Sequence, residues 1–441
     1  MKERVIKVFL FVAIFWLLQF FVGRLLRGDV KSNTRIMMHE MHTIDSIETL
    51  FVGASHVYRS IQPEKIDAAL NNKSFVAASA NQILEGSLAI IKEAKLYHPE
   101  LKQVYVDVDY VMCFANDGDT RVRLKKIYTV SKYLKNPKIK AEYLLSVTPP
   151  KYYFNNILEI GKEKITVDPK KDFQTIKSYL NGSYWKYLYP VDKKNNEKYM
   201  GRGYIAAEKA YQDYVYDELS NTVFSEADVS PEWKKAILNI IDFCSENEIK
   251  LTFISVPESN YFLLSIKNYD DFVDYMNNFL KPYNCEYYDF NYTRDEYLHL
   301  EITDFYDDSH MNSSGSDKFN QVFTKVLKNQ GTGLENNYFY KSIAEKKAMM
   351  EENIYGFNLI NSDDNKSFQI VPISNIKSES QLTYDYHFVD KNGKETVILE
   401  DTNQSSIEYP PRSFGTLKIN CYLNEELKCS FEQPVNTGWI K

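Results

Sequence analysis

A chain of 441 residues is long enough for two or three domains, each with a core of its own. Its 53 basic and 60 acidic side chains leave a net charge of -7, which argues against a general nucleic-acid binder. Five cysteines, an odd number without metal-ligand spacing, imply neither a disulfide framework nor a zinc site; only Cys421 and Cys429 are placed to pair, across a hairpin.

Residues 1–29 read as a signal anchor. Lys2, Arg4 and Lys7 precede an apolar run from Val8 to Val22, and Val5 to Leu26 matches the ~20 residues that span a bilayer. No small-x-small cleavage site follows, so the sequence predicts an uncleaved, single-pass transmembrane helix in the cell membrane. The basic amino side keeps the N-terminus cytoplasmic and the rest extracytoplasmic, although Arg24, Arg27 and Lys31 on the far side pull the other way. Residues 30–48 are polar and read as a stalk.

The main domain is expected over 30–334. Leu50–Gly53 is a short buried strand, followed by a helix opened by Pro63. Lys73–Ala78 is a second strand, Ser79–Gln82 a turn, Leu84–Tyr97 a helix, and Val104–Val111 a third strand. This β-α-β-α-β alternation marks an α/β fold with a parallel sheet. Residues 115–230 break the pattern. They carry a basic stretch from Arg121 to Lys140 and then many tyrosines, and read as a mostly helical insertion capping the site. The alternation resumes with a helix over Pro231–Glu246 and strands at Lys250–Val256 and Glu286–Phe290, and closes with a helix from Asp317 to Asn329. After Gly331 and Gly333 a connector helix is expected within 335–354. Residues 355–441 then show five or more short strands with turns at Asp390–Gly393 and Leu423–Glu426, the pattern of an immunoglobulin-like β-sandwich.

Two stretches carry the chemistry. Gly53-Ala54-Ser55-His56 presents a hydroxyl where the first strand ends, and Asp307-Asp308-Ser309-His310 lies in a turn before the last helix. A serine needs a base to become nucleophilic, and a base needs an orienting carboxylate. Ser55, His310 and Asp307 fill those roles. Asp308, two residues from His310, is a second candidate orienter, and His56 a rival base or substrate contact. Gln82, Asn81 and, further on, Asp109 and Asn116 are candidate oxyanion or substrate-binding groups at strand exits, with Glu258, Ser259 and Asn260 shaping the pocket.

The two blocks together resemble the SGNH (GDSL-like) hydrolase superfamily, in which the first block carries the nucleophile and the last is Asp-x-x-His. The resemblance is closest to its membrane-anchored bacterial branch of polysaccharide O-acetylation and teichoic-acid D-alanylation proteins. It covers roughly residues 45–330; Ala54 stands where the usual first block has Asp. It implies a three-layer, flavodoxin-like sheet and transfer of an acyl group, acetyl above all, through a Ser55 ester. The acceptor would be a cell-surface polysaccharide or teichoic acid, and the partner a multi-spanning membrane acyltransferase. No cofactor, metal or nucleic acid enters this chemistry. A plain carbohydrate esterase using the same triad and a non-catalytic glycan- or partner-binding scaffold are the alternatives.

Overall fold

The computed structural model describes residues 2–25, 29–114, 120–157, 169–210, 223–361, 367–377, 382–408 and 414–436. Helix α1 (Lys2–Leu25) runs about 36 Å at 1.5 Å per residue, and its Lys2–Gly23 stretch is long and apolar enough to cross a membrane. The expected stalk is instead a helix, α2 (Asn33–Met41), capped by the Ser32 hydroxyl. Met37 and Met41, one turn apart, join Ile36 and Met38 on a face buried in the main core. Polar composition hid this short apolar face.

The chain then alternates as expected: β1 (Thr49–Gly53), α3 (Ser55–Ser60), α4 (Pro63–Leu70), β2 (Ser74–Ala78), α5 (Leu84–Tyr97) and β3 (Gln103–Asp107). Strand β3 stops four residues earlier than its alternating pattern predicts. Val108 still donates to the Ile254 carbonyl, but Asp107 and Asp109 belong to the sheet's exit rather than its interior.

The insertion holds helices α6 (Thr120–Ser131), α7 (Pro137–Val147), α8 (Tyr153–Ile157) and α9 (Pro169–Leu180). It also holds a small antiparallel sheet that the helical expectation missed, β4 (Val191–Asp192), β5 (Glu197–Gly201) and β6 (Tyr204–Ala207). Its β5–β6 turn docks on the edge of β2, where the Val76 amide donates to the Arg202 carbonyl. At Gly203, with φ of +86°, a Cβ would lie 1.8 Å from the Val76 oxygen, so only glycine closes this turn. Turn chemistry at this one position decides the hairpin.

The main domain is completed by α10 (Pro231–Glu246), β7 (Lys250–Ser255), α11 (Asn260–Ser265), α12 (Tyr269–Leu280), β8 (Glu286–Asp289) and α13 (Ser313–Asn329). Its five strands are parallel in the order β2-β1-β3-β7-β8. Leu50, Val52, Phe75, Val104 and Val106 face one core, while Phe51, Val76 and Tyr105 face the other. Burial on both faces is why these strands read as continuous apolar runs. The chain moves outward from β1 to β2, then crosses back to β3, so the crevice between β1 and β3 is a topological switch point.

A connector helix, α14 (Ile343–Met349), leads to strands β9 (Ile354–Asn361), β10 (Ser367–Ser374), β11 (Leu382–Asp390), β12 (Glu395–Thr402), β13 (Ser406–Glu408), β14 (Phe414–Leu423) and β15 (Glu426–Asn436). They form two antiparallel sheets, β13-β10-β9 and β12-β11-β14-β15, which share one cluster built on Phe357, Phe368, Tyr386, Leu417 and Ile419. Cys421 and Cys429 are register partners, buried and unbonded as thiols. Gly356 of β9 lies against the Tyr261 ring of α11, a contact between these sheets and the main domain.

Gly53, the last residue of β1, has a similar constraint within the sheet. A Cβ there would come within 2.5 Å of Val57 Cγ2 and 2.7 Å of Asp107 Cβ. Gly53→Ala should therefore lower stability by about 1–3 kcal/mol through overpacking, read as a lower midpoint in urea unfolding. An unchanged midpoint would show that β1 and β3 need no such close approach.

Candidate active site

Strand β1 delivers Ser55 to the crevice. The sheet ends at Gly53, Ala54 takes an extended conformation, and Ser55 begins α3 with its hydroxyl at the carboxyl edge. The base arrives from 255 residues downstream. His310 Nε2 lies 2.7 Å from Ser55 Oγ, and His310 Nδ1 lies 2.9 and 3.0 Å from the two oxygens of Asp307. Since Nδ1 faces a carboxylate, the ring's proton sits there, leaving the Nε2 lone pair toward the serine.

The loop that makes this geometry is local. Asp307 Oδ1 also accepts the backbone amides of His310 at 2.7 Å and Ser309 at 3.2 Å, so the carboxylate closes its own tetrapeptide into a turn. The Tyr306 amide donates to the His310 carbonyl, and Asn312 caps α13 by accepting from the Gly315 amide. Ser259, at the exit of β7, donates to the Asp308 carbonyl and so fastens the loop to the sheet. Asp308 lines the pocket, but the contact to the His310 ring is made by Asp307.

Two imidazoles sit side by side here, their centroids 4.6 Å apart, and their environments push them in opposite directions. Burial, joined by the positive charges of His56 and Arg59, lowers the His310 pKa against the pull of Asp307. For His56 burial also opposes the charge. There Glu258, then Asp109 and Asp107, outweigh it and raise the pKa to about 10. His56 Nδ1 lies 3.5 Å from Asp109 and 3.7 Å from Glu258, close enough for ion pairing and too long for a hydrogen bond. Burial, reinforced by Asp109, pushes the Asp107 carboxyl up to about 7, and burial holds Glu258 well above the usual range. Asp307 is the contrast. Burial opposes its ionisation too, yet the hydrogen bond and charge of His310 hold it at about 2.

His56, Asp107 and Asp109 are the one group among the described residues with the donor types and proximity to hold a metal ion, their donor atoms lying within 4.8 Å of one another.

The crevice holds a cavity of about 300 Å³. Its floor is Ser55, His56 and His310; Ile83, Leu84, Val111, Met112, Trp233 and Phe262 give it apolar walls, and Arg123 and Lys126 of α6 stand at its rim. The insertion thus contributes Arg123 and Lys126 to the cavity lining. Of the candidate oxyanion groups, Asn81 lines the cavity, held in a left-handed conformation at φ of 53°. Gln82 is placed otherwise. It is buried, its amide donates to the Ala77 carbonyl and Ser87 hydroxyl, and its oxygen accepts from Ser79, so it braces the turn from below. Asp109 and Glu258 line the cavity, Asn260 lies in a separate groove, and Asn116 falls outside the described residues.

The acidic group around His56 was missed in the sequence as a group. His56, Asp109 and Glu258 stand in the sequence as separate candidates, and Glu258 reaches the other two only through the parallel pairing of β3 with β7. The chain matches no protein-family model and no curated protein.

Two pH dependences follow. Protonation of His56 is favoured by folding, so its contribution to stability is complete below about 6.5, the unfolded value, and is lost as pH rises toward 10. Thermal melts from pH 6 to 10 should fall less steeply for His56→Gln than for the natural chain; parallel curves would remove the ion pair from the argument. With its pKa lowered, His310 stays a neutral base to more acidic pH than free histidine. The rate of Ser55 labelling by a fluorophosphonate should hold below pH 6.5, and His56→Gln should shift its acid limb upward.

Proposed function

We propose that this protein is a membrane-anchored acyl-transfer enzyme of the SGNH type, acting outside the cytoplasm. The observation that carries the reading is the continuous chain Asp307–His310–Ser55, with hydrogen-bonded geometry throughout, opening on a cavity at the switch point of a parallel sheet. The sheet order, the helices on both faces and the β-rich C-terminal region fit the three-layer, flavodoxin-like and sandwich readings of the sequence.

In the proposed reaction Ser55 Oγ attacks an acyl carbonyl while His310 Nε2 takes its proton. The tetrahedral oxyanion then collapses, expelling the donor's oxygen, which takes the proton back from His310. The product is a Ser55 ester. In the second half His310 deprotonates an incoming hydroxyl, which attacks the ester and releases Ser55 with its proton restored. Ser55, Asn81 and His56 all line the cavity, and to the Ser55 amide, the Asn81 side chain and the His56 imidazole we assign stabilisation of the oxyanion. A cavity of about 300 Å³ suits a short acyl group such as acetyl.

The acceptor and partner follow from the resemblance: hydroxyls of a cell-surface polysaccharide or teichoic acid, with a multi-spanning acyltransferase supplying the acyl group at the membrane. The apolar helix α1 provides the anchor. Hydrolysis of the same ester by water is the competing reaction, and exclusion of water from the cavity is what separates the two.

The test is covalent labelling of the full chain. A fluorophosphonate should add one mass increment at Ser55, absent in Ser55→Ala and His310→Ala, and slowed about 10²–10⁴-fold in Asp307→Asn through loss of the correct tautomer. Incubation with an acetyl donor and a polyol should then give acetylated polyol faster than free acetate. Labelling that survives His310→Ala would remove the triad, and acetate alone would assign an esterase.

A further inference from the structure

The segment that follows α1 is gripped by the insertion. Asp29, four residues beyond the end of α1, accepts hydrogen bonds from the hydroxyls of Tyr133 and Tyr184, at 2.9 and 3.2 Å. Arg35 lies over the rings of Tyr184 and Tyr187, 3.8 and 4.2 Å from their centroids, and Tyr189 donates to Glu40. Four residues reach at most about 14 Å, so Asp29 stays within that distance of the end of α1 and the tyrosines a side chain further. The polar layer of a bilayer adds about 5–8 Å on each side of its hydrocarbon core. Gly23 of α1 is buried, and α9 lies against α1. This part of the insertion is therefore held beside the end of α1, within reach of the headgroups whenever α1 spans.

The same part carries large apolar side chains that the protein itself leaves uncovered. Leu180 at the end of α9 is 84% exposed, Leu188 69% and Trp185 52%. Trp185 packs edge-on against Tyr184, 4.9 Å between centroids, so it is one ring removed from the Asp29 contact. Exposed Lys177 and Lys186 are interleaved with them. Tryptophan and leucine among lysines is the composition that settles at a membrane interface, apolar groups toward the acyl chains and ammonium groups toward phosphates.

We propose that Leu180, Trp185 and Leu188 insert into the headgroup region of the bilayer that α1 crosses, with Lys177 and Lys186 on anionic phospholipid, so that the insertion lies on the membrane as a second foot. This rests on the membrane-anchored reading above. The occupant is lipid rather than protein because the chain's own tether brings the patch to the interface without a partner.

The full chain in phosphatidylglycerol vesicles tests this, with a nitroxide on a cysteine at one of three positions. Leu188→Cys reports the patch, Phe11→Cys the anchor, and Val397→Cys an exposed site on β12 of the C-terminal sheets; the natural chain gives the background from its own five thiols. The ratio of oxygen to water-soluble nickel collisions should be severalfold higher at 188 than at 397. It should fall toward that of 397 when Leu180→Ser and Trp185→Ser are added. An aqueous 188 beside a lipid-immersed 11 overturns the foot and leaves the anchor standing. An aqueous 11 overturns the anchor and the foot with it. Shielding of 188 that appears only on co-reconstitution with a multi-spanning membrane protein overturns lipid in favour of a protein interface.

Discussion

The carboxylate of Asp307 accepts two backbone amides from the tetrapeptide it belongs to while also holding Nδ1 of His310. That one group shapes the loop, fixes the tautomer of the base and aims Nε2 at Ser55. A base held so locally needs little from the rest of the chain beyond correct delivery of one loop. The delivery is done by the sheet: β7 and β8 lie on the far side of β3 from β1, and Ser259 at the β7 exit fastens the His310 loop where the β1 edge presents its serine. Gly53 completes the fit by letting β1 and β3 approach without a side chain between them.

Around that line the site is organised by charge. The pKa of the imidazole beside Ser55 is lowered by burial, and that of the adjacent one is raised, against burial, by the charges of Glu258, Asp109 and Asp107. In the proposed reaction the first ring would take the proton of Ser55 and the second would face the developing oxyanion. Ser55 and His56, adjacent in sequence at the start of α3, make different contacts, Ser55 with His310 and His56 with Asp109 and Glu258.

Much of this was legible in the sequence, and the limits have physical reasons. The five parallel strands and the covering helices α5, α10 and α13 showed as apolar runs and periodicities, since burial on two faces leaves a strong local mark. Ser55, Asp307 and His310 showed because each sits at a strand exit or in a turn. What failed was tertiary. Helix α2 is nine residues whose one apolar face makes sense only against the core, and the β5–β6 hairpin depends on a glycine fitting a carbonyl from β2. Asn81 and Gln82 were indistinguishable as polar residues in one turn. The fold turns the first toward the cavity and ties the second to Ala77, Ser79 and Ser87.

The seat of α2 has a consequence for synthesis. Arg35 finds its carbonyl partner on Tyr184, 149 residues later in the chain. At roughly 5–20 residues per second, ribosomes need on the order of 7–30 s to make the distance. The apolar face of α2 waits less long, because β1, β2 and α5, whose side chains share its core, follow within about 60 residues. The helix can therefore be seated on the sheet well before the insertion is made, and its cation–carbonyl contact is the last part of the seat to close.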